Sequence, residues 1–375
     1  MKRLIVVWLA IVVLLAVCGL YGGSAMAQSL DGSIAGVLKK SGLKILHIGN
    51  SFTADATAYL PDIVKKTGAD VSDMCIYRTM LSGASFKAWY DTYNDDYPWM
   101  GYKVIKVLGG LDAGIATGDG EAGDGSLFRQ ALSGTQWDIV FIQQGPSSAP
   151  YYEEWADGGC LNELLAVIRK HQPQAVIGLV LQHSYASNYE GNKEQSSLKR
   201  WQLIAQSVMQ CCRDYGISLV LPYGTAVQNL RASSLNNDMD LTCDGAHCEV
   251  VLTRYTASCC YYQTIIAPRT GIPVTADRTI LDASWYNVTS PIISVNFITR
   301  PIAQRAAMLA MEDMYHCTNP ETDITLGIDA TLNDKGEMIN EKCFDLQGRQ
   351  LSDSKWSNSP IQKGVYIKDG RKYVK

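Results

Sequence analysis

Residues 43–53 read Leu43-Lys44-Ile45-Leu46-His47-Ile48-Gly49-Asn50-Ser51-Phe52-Thr53. Leu43–Ile48 is a short apolar run of strand length, closed by Gly49-Asn50-Ser51, residues that favour a tight turn. Thr53 or Asp55 can cap a following helix that carries Ala56, Tyr59, Leu60 and Ile63 at helical spacing. The same alternation then repeats along the chain. Strands are expected over Met74–Met80, Asp138–Gln143, Val176–Gln182 and Ser218–Leu221. Helices are expected over Leu161–Lys170, Leu198–Cys212, Glu249–Ile266 and Pro301–Tyr315.

Short apolar strands alternating with amphipathic helices predict a parallel sheet covered on both faces. The expected fold is α/β: a flavodoxin-like three-layer α/β/α arrangement with a parallel five-stranded sheet of order 2-1-3-4-5. Ligands of such sheets bind beyond the carboxyl ends of the strands where strand order reverses. The turns Gly49–Ser51 and Gln143–Gly145 should both lie at that crevice. Two stretches break the alternation. Residues 94–135 form a long connection rich in Gly and Asp, with Gly118-Asp119-Gly120 and Gly123-Asp124-Gly125. Residues 321–375 contain short strand-like pieces between turns and read as a separate small β module.

The chain has 375 residues, 47% hydrophobic and 19% charged, enough apolar material for a full core beside an appendage. Its net charge is −4 and no basic stripe runs through it, which excludes a nucleic-acid backbone as partner. Lys2 and Arg3 precede an apolar run from Leu4 to about Tyr21, and Ala25-Met26-Ala27 supplies a small-x-small cleavage pattern. This order predicts a signal peptide over 1–27 and no stable membrane insertion once it is removed, an uncleaved membrane anchor being the other reading of a run nearly long enough to span a bilayer. The domain proper is then expected over 28–320, in an exported protein that is periplasmic, at the cell surface or extracellular. Ten cysteines remain after residue 27. Cys211-Cys212 and Cys259-Cys260 read as small core residues, while a bridge between Cys243 and Cys248 would stiffen the loop between them. No tetrahedral set of zinc ligands stands out, and no metal is assigned.

The candidate chemistry is nucleophilic. Ser51 stands where a strand gives way to a helix, with its hydroxyl at the crevice and its amide near a positive helix end. Gly-Asn-Ser alone is as well explained by turn formation. Late in the chain, Asp244-Gly245-Ala246-His247 sets a carboxylate and an imidazole three residues apart, on one face of a single turn. Asp244 can hold one ring nitrogen while the other faces Ser51, which is the logic of a Ser-His-Asp triad. His183, at the end of the fourth strand, is the rival histidine, but no carboxylate neighbours it in sequence. His47 should be buried in the first strand.

Gly49-Asn50-Ser51-Phe52 and Asp244-Gly245-Ala246-His247 resemble the first and fifth motif blocks of the SGNH (GDSL-like) hydrolases. Gly83, within Leu81-Ser82-Gly83-Ala84-Ser85-Phe86, is similar to the glycine of their second block. Gln143-Gln144-Gly145 stands where the third block has Gly-x-Asn-Asp. Asn50 takes the place of the usual Asp of the first block. The resemblance covers residues 43–317 and implies a serine esterase that needs no cofactor. Its oxyanion donors would be the Ser51 and Gly83 amides, with Gln143 or Gln144 replacing the missing Asn side chain. Asn50, Ser85, Trp89 and His183 are the expected substrate contacts. The aromatics Trp89, Tyr90, Tyr93, Tyr97, Trp99 and Tyr102 fit either a sugar-stacking surface or a lid packed on the core.

An acylated carbohydrate, O-acetylated in the first instance, is therefore the expected partner, with other small esters behind it. A glycan-binding protein without turnover, and a lipase or thioesterase, are the alternatives. The end of the chain, Phe344-Asp345-Leu346-Gln347-Gly348-Arg349 with Lys363-Gly364-Val365-Tyr366-Ile367, resembles the C-terminal sorting modules of type IX secretion. That resemblance implies a Gram-negative secretion machinery as a second partner; an ordinary β accessory domain is the other reading.

Overall fold

The computed structural model describes residues 32–156, 158–286 and 290–322, together with the backbone of four short strands between 343 and 374. The expected signal peptide, and most of the expected C-terminal module, lie outside the described residues.

A short helix α1 (Gly32–Leu38) precedes β1 (Leu43–Gly49), α2 (Ser51–Thr57), α3 (Leu60–Thr67) and β2 (Met74–Met80). Then come α4 (Phe86–Tyr93), β3 (Tyr102–Leu108), β4 (Gly118–Gly120), α5 (Ser126–Ser133) and β5 (Ile139–Ile142). The second half runs α6 (Glu153–Ala156), α7 (Leu161–His171), β6 (Val176–Val180), α8 (Ser197–Tyr215), β7 (Leu219–Leu221) and α9 (Tyr223–Arg231). It closes with α10 (Leu252–Tyr261), a π turn (Tyr262–Ile266), α11 (Ala267–Thr270) and α12 (Thr299–Glu312).

The strands form one seven-stranded sheet of order β4-β3-β2-β1-β5-β6-β7. Its five parallel members β2-β1-β5-β6-β7 follow the 2-1-3-4-5 order expected from the sequence. The difference lies at one edge. β3 pairs antiparallel with β2, and β4 antiparallel with β3. Part of the long 94–135 connection is thus sheet and helix. Tyr102–Leu108 carries Lys103 and Lys106 on exposed positions among apolar residues, and it covers the otherwise open edge of β2.

Period-two alternation along the strands divides the core. Leu43, Ile45, Ile76, Ile139, Phe141 and Leu219 pack on one side, with α2, α3, α9, α10 and α12. Leu46, Ile48, Tyr77, Val140, Ile142 and Leu179 pack on the other, with α4, α5, α7 and α8. Three layers follow directly from strands apolar on both faces. Within the tail, β8 (Cys343–Asp345), β9 (Gln350–Leu351), β10 (Val365–Lys368) and β11 (Arg371–Val374) make a four-stranded sheet of order β11-β10-β8-β9, its pairings antiparallel.

The aromatic segment after Gly83 is mostly core. Trp89 is fully buried, packs on Phe128 and Tyr102, and donates its indole N–H to the Gly49 carbonyl at 2.9 Å. It therefore cannot touch a substrate, and its place among the expected substrate contacts is corrected. Trp99, at 79% exposure, is the outlier of the group. Trp89→Ala is expected to lower the unfolding free energy by about 3–5 kcal/mol, the usual cost of emptying a large aromatic site. Trp99→Ala should change it by less than about 0.5 kcal/mol. Urea unfolding of the two variants side by side checks both values.

Candidate active site

Ser51 is the first residue of α2, directly beyond the end of β1. Asn50 caps that helix. Its Oδ1 accepts from the Phe52 amide at 3.0 Å, and its Nδ2 donates to the carbonyls of Ala84 (3.1 Å) and Gln144 (3.3 Å). Asn50 is fully buried, so it is a tie between three strand-end turns and not the substrate contact expected from the sequence. Gly145 shows why these turns can meet. A Cβ there would stand 3.0 Å from both the Gly83 carbonyl oxygen and the Ser85 nitrogen.

His247 comes from the turn before α10, 196 residues away in sequence. Its Nε2 lies 2.9 Å from Ser51 Oγ. Its Nδ1 lies 2.7 Å from Asp244 Oδ2, while Asp244 Oδ1 accepts the amides of Ala246 (2.9 Å) and His247 (2.7 Å). Partial burial pushes the Asp244 carboxyl up, but the hydrogen bonds from the His247 amide and ring and the Ala246 amide prevail, holding it below the usual carboxylate range. An ionised carboxylate only accepts, so Nδ1 carries the ring proton and Nε2 faces the hydroxyl as an acceptor. The geometry therefore brings Ser51, His247 and Asp244 into one hydrogen-bonded line.

Three further groups anchor the 244–249 turn. Asp55, one helical turn beyond Ser51 and almost fully buried, accepts the Cys248 amide at 2.9 Å. Burial pushes its carboxyl up, opposed by the Arg254 guanidinium, whose Nε stands 2.8 Å away, and by the Cys248 amide. The Arg254 Nε–H is not aligned for a hydrogen bond, so this contact is an ion pair. His183 is completely buried and stacks on Phe52 at 4.0 Å between ring centroids. Its Nε2 donates to the Ala246 carbonyl at 2.8 Å, and its Nδ1 faces Cys248 Sγ at 3.7 Å. His183 thus positions the turn that carries His247; burial removes it from the expected substrate contacts. Gly245 adopts φ +86°, where a side chain would be strained and would also meet Tyr189.

Asp55, His183 and Cys248 bring three potential metal ligands within 4.8 Å. The Asp55 oxygens serve Arg254 and the Cys248 amide, and His183 Nε2 serves Ala246. These bonds, with a guanidinium alongside, make the cluster a polar anchor rather than a cation cage. Cys243 and Cys248 are free thiols, which corrects the bridge expected between them. Cys248 is buried towards His183, whereas Cys243 lines the cleft beside Ser51.

Both glutamines are buried, and they differ in what their amides bond. Gln143 is buried, accepts from Thr53 Oγ1, and donates its Nε2 to Gln182 Oε1 at 2.6 Å. With its amide held inside the core, it is corrected as an oxyanion donor. Gln144 Oε1 accepts the amides of Phe86 (3.0 Å) and Gly145 (2.8 Å), which fixes the side-chain plane. Its Nε2 donates to no protein group among the described residues. The backbone amides of Ser51 and Gly83 likewise have no protein acceptor among the described residues. Gly83 is exposed, with φ +62°. The partly buried Ser85 hydroxyl caps α4 by accepting the Ala88 amide at 3.2 Å, which leaves its O–H free to donate.

Residues 44–274 match the family model described as Domain of unknown function (DUF4886). The chain belongs to this family. A DUF4886 family protein from Bacteroides uniformis is 25% identical, with a TM-score of 0.57 over 74% of this chain and 97% of that one. Its fold is shared. A protein proposed to be an SGNH hydrolase, from Slackia heliotrinireducens, is 17% identical with a TM-score of 0.37 over 61% of this chain and 98% of that one. Phospholipase A1 from Streptomyces albidoflavus is 11% identical, TM-score 0.26, over 51% and 83%. Likeness at these two lower scores does not establish a common fold. No curated protein matches the chain.

In this DUF4886 protein, reading the sequence missed Asp55, Arg254 and Cys248 as anchors. Asp55 carried a signal, since it stands four residues after Ser51 on the same helix. The two buried histidines have a consequence for pH. Burial lowers His47 and His183 from 6.5 to about 3, each helped by a nearby guanidinium, Arg78 and Arg231 respectively. Below pH 6.5 the unfolded chain gains protons that the fold refuses, so stability is lost from 6.5 down towards 3. Each ring contributes about 1.4 kcal/mol per pH unit. Side-chain nitrogen NMR should show both rings neutral at pH 4.5, with the urea midpoint falling below pH 6.5. Protonated rings at pH 5 in the folded protein would contradict this.

Proposed function

We propose that this DUF4886 protein is a serine ester hydrolase of the SGNH type that removes acyl groups, O-acetyl in the first instance, from carbohydrate. The observation that carries the reading is the unbroken line from Asp244 Oδ2 through both ring nitrogens of His247 to Ser51 Oγ, at 2.7 and 2.9 Å. Three donors without protein acceptors among the described residues, the Ser51 and Gly83 amides and Gln144 Nε2, stand on the turns after β1, β2 and β5 and would supply an oxyanion hole.

In this mechanism Ser51 passes its proton to His247 Nε2 as Oγ bonds to the ester carbonyl carbon. The carbonyl electron pair moves onto oxygen, where the three donors stabilise it. Collapse breaks the bond to the leaving alcohol, which takes the proton from His247. Water then attacks the acyl-Ser51 with His247 as base, releasing the carboxylic acid. Asp244 keeps Nδ1 protonated and stabilises the imidazolium that forms at each half-reaction. No cofactor enters these steps. The charged, apolar and small-residue order of residues 1–27 supports export, and the tail motifs support a sorting role for residues 321–375.

The test is acetate release from acetylated xylan or pectin by the purified protein. Ser51→Ala should lower turnover by about 10³-fold or more. Gln144→Ala should lower kcat by about 10²–10³ with KM little changed, the pattern of a donor used only in the transition state. Glycan binding without acid release, unaltered in Ser51→Ala, would replace the reading with a non-catalytic one. Faster turnover as the acyl chain lengthens would replace it with a lipase or thioesterase.

A further inference from the structure

Beside Ser51 and His247 lies a cleft of about 630 Å³. Its walls include Asp55 and Asp244 and three cations, Arg78, Lys106 and Arg254. Asp244 is committed to His247, and Asp55 to Arg254 and the Cys248 amide. Among the described residues, neither Arg78 nor Lys106 has a carboxylate within ion-pair distance. Arg78 bonds Thr57 Oγ1 and the Ala54 carbonyl at the end of α2, which explains its position; Asp55 supports its charge from beyond ion-pair distance, but no carboxylate among the described residues pairs with it directly. Its Nε is buried with no acceptor. For Arg78 desolvation outweighs the help from Asp55, and a guanidinium left partly desolvated without a directly paired anion is costly unless something anionic visits it.

The location says which part of a substrate that would be. His247 and Asp244 line this cleft, whereas Gly83 and Gln144 are not among its lining residues. The acyl oxygen turns towards the oxyanion donors, while the leaving alcohol must lie against the imidazole that protonates it. The cleft is therefore the alcohol side.

We infer that the leaving alcohol of the natural ester carries an anionic group, a carboxylate or a sulfate, bound by Lys106, Arg78 and the free terminus of Arg254. The inference rests on the acyl-transfer reading and adds to it the charge of the alcohol: an acidic rather than a neutral sugar. Lys106 reaches the cleft from β3, the added antiparallel strand, so the edge extension supplies specificity as well as edge protection.

The experiment uses three substrates of one sugar size: a monoacetylated methyl glucuronoside, its neutral 6-methyl ester, and a monoacetylated methyl glucoside 6-sulfate. For the full-length protein, kcat/KM on the preferred anionic ester should exceed that on the neutral one by about tenfold, the effect of one well-placed ion pair. Carboxylate preferred over sulfate, or the reverse, identifies the group. Lys106→Glu, on an exposed strand position, should abolish that ratio or invert it, and raising the salt concentration should erode it in the wild type. Calorimetric binding of the same three compounds to Ser51→Ala removes chemistry from the question. Anion-selective binding without turnover by the wild type would sustain the anion site and sink the hydrolase. Equal turnover on all three esters, unchanged by Lys106→Glu, would sustain the hydrolase and overturn the anion site.

Discussion

The arrangement depends on one buried hydrogen bond, from the Cys248 amide to the carboxylate of Asp55 at 2.9 Å. It joins residues 193 apart in sequence and sets the turn bearing His247 against the helix bearing Ser51. A buried carboxylate is costly unless it is paired and hydrogen-bonded, and here Arg254 supplies the counter-charge and the Cys248 amide the hydrogen bond. His183 fastens the same turn from the other side through the Ala246 carbonyl. The hydroxyl and the imidazole meet because the elements carrying them are bolted together one residue beyond the contact.

Around that junction the site divides by chemistry. On one side, the turns after β1, β2 and β5 converge through Asn50, with Gly145 permitting the close approach, and present donors that no protein group among the described residues uses. On the other side the cleft is walled by α2, by the start of α10 and by the antiparallel edge. The sheet sets the spacing of both. Its carboxyl-terminal rim is where parallel strand order reverses, so residues far apart in the chain arrive at one place without long irregular segments.

Much of this was legible in the chain. Strand runs such as Ile139–Ile142 declared themselves because a parallel strand buried on both faces must be continuously apolar. The Gly-Asn-Ser turn and the Asp-x-x-His spacing pointed to the three residues that the fold does bring together. Other features could not be read. Which glutamine faces the crevice is decided by the one-residue alternation at the end of β5, which turns Gln143 inward to Gln182. Asn50, Trp89 and His183 look like contact residues by type, yet burial makes each a structural tie. β3 was concealed by the Gly- and Asp-rich stretch around it, and its run Tyr102–Leu108 lacks the strict alternation that marks a half-buried strand. Lys106 reaches Arg78 only through the antiparallel pairing of β3 with β2, which no local signal announces.

The central claim is that Ser51 is a nucleophile activated by His247, and active-site labelling tests it without any assumption about substrate. A fluorophosphonate probe, followed by peptide mass mapping, should place a single adduct on Ser51. Labelling should slow by orders of magnitude in His247→Ala. No adduct on Ser51 in the folded protein, or the same labelling rate without the imidazole, would contradict the account.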